Sequence, residues 1–223
     1  TLGGEFLLAG EAPGKAEMKA AAFEMAEQVE KLVKVYKNTK VDAQMLKDAD
    51  VDAVILAIGS SPITIKLEGM DKLQHASAPE VLRHEVCPKG KVAVIGGGLV
   101  GLETALATDG CDVTVLEMKD EIGSDLGSLR KIAVMMKLQQ MQVKMLPNSK
   151  VCKFTEEGIV LEDETLVPCN CAVFAVGFAS NDSHLLVEEC EKRQIPCRVI
   201  GDAKSARRAL DAIAEGFEAA RTL

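Results

Sequence analysis

A glycine-rich turn between two short apolar segments constrains the fold of this chain more than any other feature. Residues 91–118 read KVAVIGGGLVGLETALATDGCDVTVLEM, in which an apolar run leads into three consecutive glycines and a second apolar run ends on Glu117. The segment between the two runs is rich in leucine and alanine and is typical of a helix, whereas the runs themselves are typical of buried parallel strands. We therefore predict a βαβ unit over these residues.

Each glycine of this turn has a predicted role in binding a dinucleotide. Gly96 permits the tight turn after the strand, Gly98 lets the backbone approach a pyrophosphate, and Gly101 lets the helix pack closely against the sheet. The N–H groups of the first helical turn, which includes Leu99 and Val100, then face the phosphates at the positive end of the helix dipole.

The acidic residue after the second strand predicts which dinucleotide is bound. Glu117 lies roughly twenty residues beyond the glycines, where a carboxylate accepts hydrogen bonds from the ribose hydroxyls of NAD and repels the 2′-phosphate of NADP. We therefore expect NAD(H) as the cofactor. This motif does not identify a substrate.

Composition excludes several classes of function. A chain of 223 residues with 48% hydrophobic residues can bury a substantial core, and a net charge of −8 argues against nucleic acid and anionic membranes as partners. The sequence has neither an apolar run of membrane-spanning length nor a signal-peptide pattern, so we expect a cytoplasmic protein.

Cysteine and histidine patterns do not predict a metal site or a redox-active pair. The seven cysteines contain no CxxC pair, and the three histidines are scattered along the chain. Zinc ribbons, iron–sulfur clusters and dithiol relays all need closely spaced ligands, so we interpret the cysteines as reduced, mostly buried thiols.

Apolar periodicity predicts alternating helices and strands, which places the chain in the α/β class. The expected helices are 17–32, 127–141 and 205–221; the expected strands are 33–36, 51–59, 143–146, 171–176 and 197–200, with an antiparallel meander over 151–167. Two strands end on a glycine, Gly59 and Gly177. Either glycine alone is explained by an ordinary turn, but together they indicate that residues 88–177 form a domain inserted into another.

A set of segments resembles a known family. They are Leu2 to Ala9 (LGGEFLLA), Asp52 to Gly59 (DAVILAIG), the turn GGGLVGLETA, Val113 to Met118 (VTVLEM), and Val199 to Asp202 (VIGD) with the helix after it. Together they are similar to the C-terminal part of the NADH:flavin oxidoreductases related to 2-enoate reductase, 2,4-dienoyl-CoA reductase and trimethylamine dehydrogenase. The missing cysteine pair disfavours a dihydrolipoamide- or thioredoxin-type disulfide reductase.

The resemblance implies a Rossmann-like, three-layer NAD(H)-binding domain over 88–177, inserted into a partial FAD domain formed by 1–87 and 178–223. It implies that Asp202, beside Gly201, binds the ribityl or pyrophosphate part of FAD near the start of the last helix. Glu103 matches the GxGxxGxE pattern of the superfamily, which places it near the nicotinamide; the alternative is a solvated carboxylate in the first turns of the helix.

In that family an N-terminal barrel carries FMN, a 4Fe-4S cluster and the substrate site. This chain lacks that barrel and the first βαβ unit of the FAD domain, so the resemblance implies a fragment of a longer polypeptide that retains only part of its FAD site. Two functions remain open. One is an electron-input module that binds NADH and passes hydride to FAD; the other is a non-catalytic ADP- or NAD-binding module with a degenerate FAD site. Exposed sheet edges also allow a homo-oligomer.

Overall fold

The structure, a computed structural model, describes residues 2–223 and contains two compact units. The central unit comprises Leu7–Ala20 and Pro62–Gly177; the flanking unit comprises the segment up to Phe6, Ala21–Ser61 and Phe178–Leu223. Across the described residues, no helix has both the length and the apolar character needed to cross a membrane.

The helices and strands alternate along the chain. The helices are α1 (Gly4–Ala9), α2 (Ala16–Leu32), α3 (Ala43–Asp48), α4 (Ala78–Leu82), α5 (Leu99–Ala107), α6 (Ser128–Gln140), α7 (His184–Lys192) and α8 (Ala209–Thr222). The strands are β1 (Val54–Leu56), β2 (Ser60–Pro62), β3 (Gln74–Ser77), β4 (Lys91–Ile95), β5 (Asp112–Leu116), β6 (Lys144–Leu146), β7 (Val151–Thr155), β8 (Gly158–Leu161), β9 (Leu166–Pro168), β10 (Cys171–Phe174), β11 (Phe178–Ser180) and β12 (Cys197–Val199). Short 3₁₀ turns lie at Met70–Lys72 and Gly201–Ala203.

A five-stranded parallel sheet forms the middle of the central unit, in the order β3-β10-β4-β5-β6. The inner strands β10, β4 and β5 are largely apolar because both faces of the sheet are covered there, whereas the edge strands β3 and β6 are more polar. One face packs against α4, α5 and α6 through Leu102 and Leu138, and the other packs against the antiparallel sheet β7-β8-β9 through Phe154 and Ile159. The predicted three-layer, Rossmann-like α/β architecture is confirmed.

The flanking unit is built around shorter strands. β1 pairs in parallel with β12, with Val54 opposite Cys197, and β2 pairs with β11. Arg193, after α7, donates hydrogen bonds to the carbonyl oxygens of Leu46 and Ala49, which ties α3 to α7. The rest of this unit consists mainly of helices, among them α3, α7 and α8.

The predicted βαβ unit, the meander and most other elements agree with the structure to within a few residues. The predicted strand 33–36 is wrong: these residues are irregular because no neighbouring strand pairs with them, and Tyr36 is 66% exposed. The last helix begins at Ala209 instead of near 205. Sequence periodicity also missed α1, α3, α4 and α7, which are short.

The domain boundaries predicted from sequence differ from the compact units in two segments, 7–20 and 62–87. Residues 62–87, placed by the sequence with the outer part, contribute β3 and α4 to the central unit. β3 extends the sheet beside β10, so this segment packs with the residues that follow it. The assignment of NAD(H) to 88–177 and of FAD to 1–87 and 178–223 stays a prediction.

Candidate nucleotide-binding site

The glycine-rich turn brings β4, α5 and β10 into close backbone contact. Gly96 has φ +109, and a Cβ there would lie 2.3 Å from the carbonyl oxygen of Ala175, just after β10. A Cβ on Gly101 would lie 1.9 Å from the carbonyl oxygen of Gly96. No other residue fits at these two positions without moving the backbone, so the turn needs glycine there, as the sequence analysis expects.

Backbone amides of this turn already bind anionic oxygens. The N–H of Gly97 donates to Glu117 Oε2 at 2.7 Å, and the N–H of Leu99 donates to both carboxylate oxygens of Asp125 at 3.0 and 3.1 Å. Gly98, the N-cap of α5, makes no side-chain cap hydrogen bond. The carboxylates occupy positions at the positive end of the helix where phosphate oxygens bind, so the donors present here fit a pyrophosphate.

Glu117 lies at the end of β5, beside the turn. Its Oε1 accepts a hydrogen bond from the N–H of Lys119 at 2.9 Å, while its backbone N–H donates to the carbonyl oxygen of Leu146. The carboxylate is therefore fixed at the carboxyl edge of the sheet. Each carboxylate oxygen has two lone pairs, so Glu117 keeps acceptor capacity for sugar hydroxyls.

A segment that we name the acidic strap, residues 119–127, covers the turn. It runs from the end of β5 to the N-cap of α6 and carries Asp125. The N–H of Gly123 in the strap donates to the carbonyl oxygen of Gly97 at 2.7 Å. Sequence reasoning missed this contact, because nothing in the local pattern links the strap to a turn that lies about 26 residues earlier.

Glu103 is buried in an ion-pair cluster within the central unit. It is 5% exposed, its Oε1 lies 2.6 Å from Lys15 Nζ, and it also pairs with Arg130 of α6. The interpretation of Glu103 as a solvated carboxylate is therefore wrong. One carboxylate paired with two cations leaves the cluster with a net positive charge, and Glu103 offsets the charge of one of them.

The two glycines at which the chain passes between units both have positive φ, +72 at Gly59 and +104 at Gly177. Each carbonyl accepts a nearby backbone hydrogen bond, Gly59 from Asn181 and Gly177 from Ile63. A Cβ would find open space at Gly59 and only ordinary contact at Gly177, so backbone conformation is the local reason for glycine.

Asp202 lies in the 3₁₀ turn after β12 and not in the first turn of α8, which differs from its expected place near the start of the last helix. The chain is irregular between Lys204 and Ala209, so Asp202 is separated from that helix. Its carboxylate accepts hydrogen bonds from the hydroxyl of Ser60 and from the N–H of Arg207, both at 3.2 Å. Asp202 therefore already accepts from a hydroxyl group, which is the donor that a ribityl chain offers.

A second carboxylate binds the backbone beside Asp202. Glu215 accepts a hydrogen bond from the N–H of Gly201 at 2.8 Å and pairs with Lys204 and Arg207. The hydrogen bond from Arg207, followed by that from Gly201, lowers the pKa of Glu215 from 4.5 to about 2. A negative charge is consequently held on the Gly201 amide at all physiological pH values.

The cysteines form no disulfide and no metal group in the part of the chain that the structure describes. Burial raises the pKa of Cys169 to about 11, and burial, followed by the neighbouring thiol of Cys190, raises that of Cys197 to about 11. These thiols are protonated at neutral pH and are poor nucleophiles.

The sequence of this chain is similar to one protein family and to several oxidoreductases. Residues 7–202 match the family model of the pyridine nucleotide-disulphide oxidoreductases. Bilirubin reductase of Mediterraneibacter gnavus is 34% identical over 100% of this chain and 36% of its own length. Cinnamate reductase of Clostridium sporogenes is 34% identical over 86% of this chain and 29% of its own length. The NADH oxidase of Thermoanaerobacter brockii is 30% identical over 98% of this chain and 35% of its own length.

Solved structures show the same fold. A 2-naphthoyl-CoA reductase superposes with a TM-score of 0.87 at 23% identity, over 99% of this chain and 34% of that protein. Histamine dehydrogenase from Rhizobium sp. 4-9 superposes with a TM-score of 0.84 at 15% identity, over 100% of this chain and 39% of that protein. The chain thus spans about a third of the length of the proteins that it matches.

Proposed function

The chain belongs to the pyridine nucleotide-disulphide oxidoreductase family, and from this premise we propose that it is the electron-input module of a flavin-dependent oxidoreductase. In this proposal it binds NADH and passes hydride to FAD. The observation that carries the proposal is the glycine-rich turn whose amides hold carboxylate oxygens where a pyrophosphate binds.

The central unit supplies the NADH contacts of the proposal. The backbone of the turn binds the pyrophosphate, through Gly96, Gly98, Leu99, Val100 and Gly101. Glu117 accepts from the ribose hydroxyls and excludes the 2′-phosphate of NADPH. Glu103, held by its lysine and arginine partners, lies toward the nicotinamide. When bound, the nicotinamide supplies a hydride and the flavin accepts it, so the protein has to align the two rings and exclude water.

The flavin contacts of the proposal come from Gly201 and Asp202, and Gly59 and Gly177 are proposed as cofactor-binding glycines. The hydrogen bond that Asp202 accepts from the Ser60 hydroxyl supports a role in binding a polyol.

FMN, a 4Fe-4S cluster and the substrate site belong, in this proposal, to an N-terminal barrel of the same polypeptide. An enoate- or dienoyl-type substrate is supported by the relatives, one of which is a cinnamate reductase. Seven free cysteines support a reducing compartment, and we propose the cytoplasm.

A second candidate function is a non-catalytic module that binds ADP or NAD and has a degenerate FAD site. Glu215 favours it, because this carboxylate occupies the Gly201 amide that a flavin would use. The two candidates are separated by adding FAD and then NADH to the purified chain. A yellow sample that bleaches with NADH supports the electron-input module, and a colourless sample that still binds NADH or ADP supports the alternative.

The cofactor preference is tested by replacing Glu117 with glutamine. Wild-type protein is expected to bind NADH at least about tenfold more tightly than NADPH, and Glu117→Gln is expected to lose most of that preference because the like-charge repulsion disappears. The matched control is Asp112→Asn, which removes an exposed charge from the other end of β5. Failure of the wild-type chain to bind NADH in a fluorescence titration would refute the proposed function.

A further inference from the structure

The acidic strap places a carboxylate on the amide that the proposed pyrophosphate needs. Both oxygens of Asp125 accept from the N–H of Leu99, the first residue of α5. The same carboxylate lies 3.2 Å from the position that a Cβ on Gly98 would occupy. Asp125 therefore fills the space directly over the turn, where the absence of a side chain on Gly98 leaves room for a ligand.

Asp125 caps the N-terminus of α5 although it lies outside this helix and its flanking residues. Residues that cap a helix locally usually lie at the N-cap itself, but Gly98 has no side chain to do so. The positive end of α5 attracts an anion, and in the free protein Asp125 is that anion. A pyrophosphate carries its own negative charge, and two anions cannot share one N–H donor at hydrogen-bond distance.

Two features of the strap fit a segment that can be displaced. Ser124 and Asp125 are exposed, although Ile122 of the same segment is buried in the core of the central unit. On its other side the strap borders a cleft of 440 Å³, which it lines with Leu126 and which α6 lines with Ile132 and Met135. The part of the strap around Asp125 can therefore shift while Ile122 stays in the close-packed core of the central unit.

We propose that Asp125 is an affinity-determining residue, whose carboxylate occupies the pyrophosphate position and is displaced when NADH binds. This inference rests on the proposed function, because it assumes that the turn binds NADH. Glu117 differs from Asp125 in that its second oxygen is held by Lys119 at the strand end, beside the expected ribose. Asp125 thus competes with the ligand, whereas Glu117 takes part in binding it.

The test compares the Kd for NADH of the wild-type chain, Asp125→Asn and Asp120→Asn by titration calorimetry. Asparagine keeps an acceptor oxygen for the Leu99 amide but removes the charge, and Asp120 is an exposed carboxylate in the same strap. A lost charge-assisted hydrogen bond corresponds to roughly a tenfold change in Kd, so Asp125→Asn should bind NADH about tenfold more tightly. Asp120→Asn should stay within about twofold of wild type because it lies away from the amides.

Adenosine, which has no phosphate, is the second probe, and its affinity should not change in Asp125→Asn. If Asp125→Asn binds NADH no more tightly than wild type, or if Asp120→Asn matches it, the inference is overturned. Tighter binding of adenosine also overturns it, because loosening of the strap would then explain the gain. If wild type and both variants bind no NADH, the proposed function fails as well, which distinguishes the two failures.

A measurement on the wild-type chain covers the case in which Asp125→Asn does not fold. Hydrogen–deuterium exchange with NADH should slow at the start of α5 and become faster in the acidic strap, because the strap amides lose their anchor on the turn. Slower or unchanged exchange in the strap would contradict displacement of Asp125.

Discussion

Replacing Gly101 with alanine tests whether the close approach of α5 to β4 shapes the nucleotide turn. A Cβ at this position would lie 1.9 Å from the carbonyl oxygen of Gly96, whereas contacts under 3.0 Å are essentially never seen. The obstacle is backbone and cannot rotate away as a side chain would. The helix and the turn must therefore separate by about 1 Å in a region packed as densely as a crystal.

The expected loss of stability follows from two opposing terms. Inserting a methyl group where there is no space costs about 3 kcal/mol, at the upper end of the usual range. Alanine in a helix is favoured over glycine by about 1 kcal/mol. We therefore expect Gly101→Ala to lower the free energy of unfolding by about 2 kcal/mol. A displacement of about 1 Å of the Leu99 amide should also weaken NADH binding at least tenfold.

Urea unfolding followed by circular dichroism measures the first effect, and titration of NADH fluorescence measures the second. The control is Gly127→Ala, at the N-cap of α6, where φ is −66 and a Cβ meets nothing within 4 Å. The control should be within about 1 kcal/mol of wild type, a cost set by alanine being a poorer N-cap than glycine. If Gly101→Ala is as stable as Gly127→Ala and binds NADH with unchanged affinity, the steric argument for this glycine is wrong.

Three further predictions concern charged and thiol groups. Glu103→Gln should lower the free energy of unfolding by about 2 kcal/mol, because it leaves the largely buried Lys15 without its anion. Glu121→Gln, at an exposed ion pair, should cost less than about 0.5 kcal/mol in the same urea assay. The pKa of Glu215 is lowered in the folded protein, so the stabilisation that its carboxylate gives is complete above pH 4.5 and is lost as the pH falls toward 2. The difference in Tm between wild type and Glu215→Gln should therefore shrink over that range. A Tm difference that stays constant would contradict this pKa shift. At pH 8 iodoacetamide should label the exposed Cys87 and Cys152 before Cys169, because burial raises the pKa of Cys169 from 9.0 to about 11 and so lowers its thiolate fraction about a hundredfold. Equal labelling rates of Cys169 and the exposed thiols by mass spectrometry would contradict this.

The parts of the site that could be predicted from sequence are those fixed by local backbone geometry. Gly101 is required by a contact within one βαβ unit and Gly96 by its positive φ, so the spacing of the two glycines identifies the turn. One missed helix also had a local signal: Ser77 and Glu80 form a capping box at the start of α4, with Pro79 in its first turn. The sequence SAPE carries this pattern and would have identified α4.

The parts that could not be predicted depend on partners brought together by the fold. Lys15 lies far from Glu103 in sequence, and no periodicity relates the two. Asp125 looks like one of several surface acids until the strap folds over the turn. The strand expected over 33–36 fails for the corresponding reason, because alternation is a local signal while a strand is stable only beside another strand.

The hydrogen bond from the Ile63 amide to the Gly177 carbonyl, at 3.0 Å, has an evolutionary consequence. It joins the two ends of a long internal stretch of the central unit, so that stretch starts and finishes at neighbouring points in space. A host protein can acquire or exchange such a piece by recombination without stretching its own chain. Shuffling among related genes would then preserve this junction while the sequence on either side diverges.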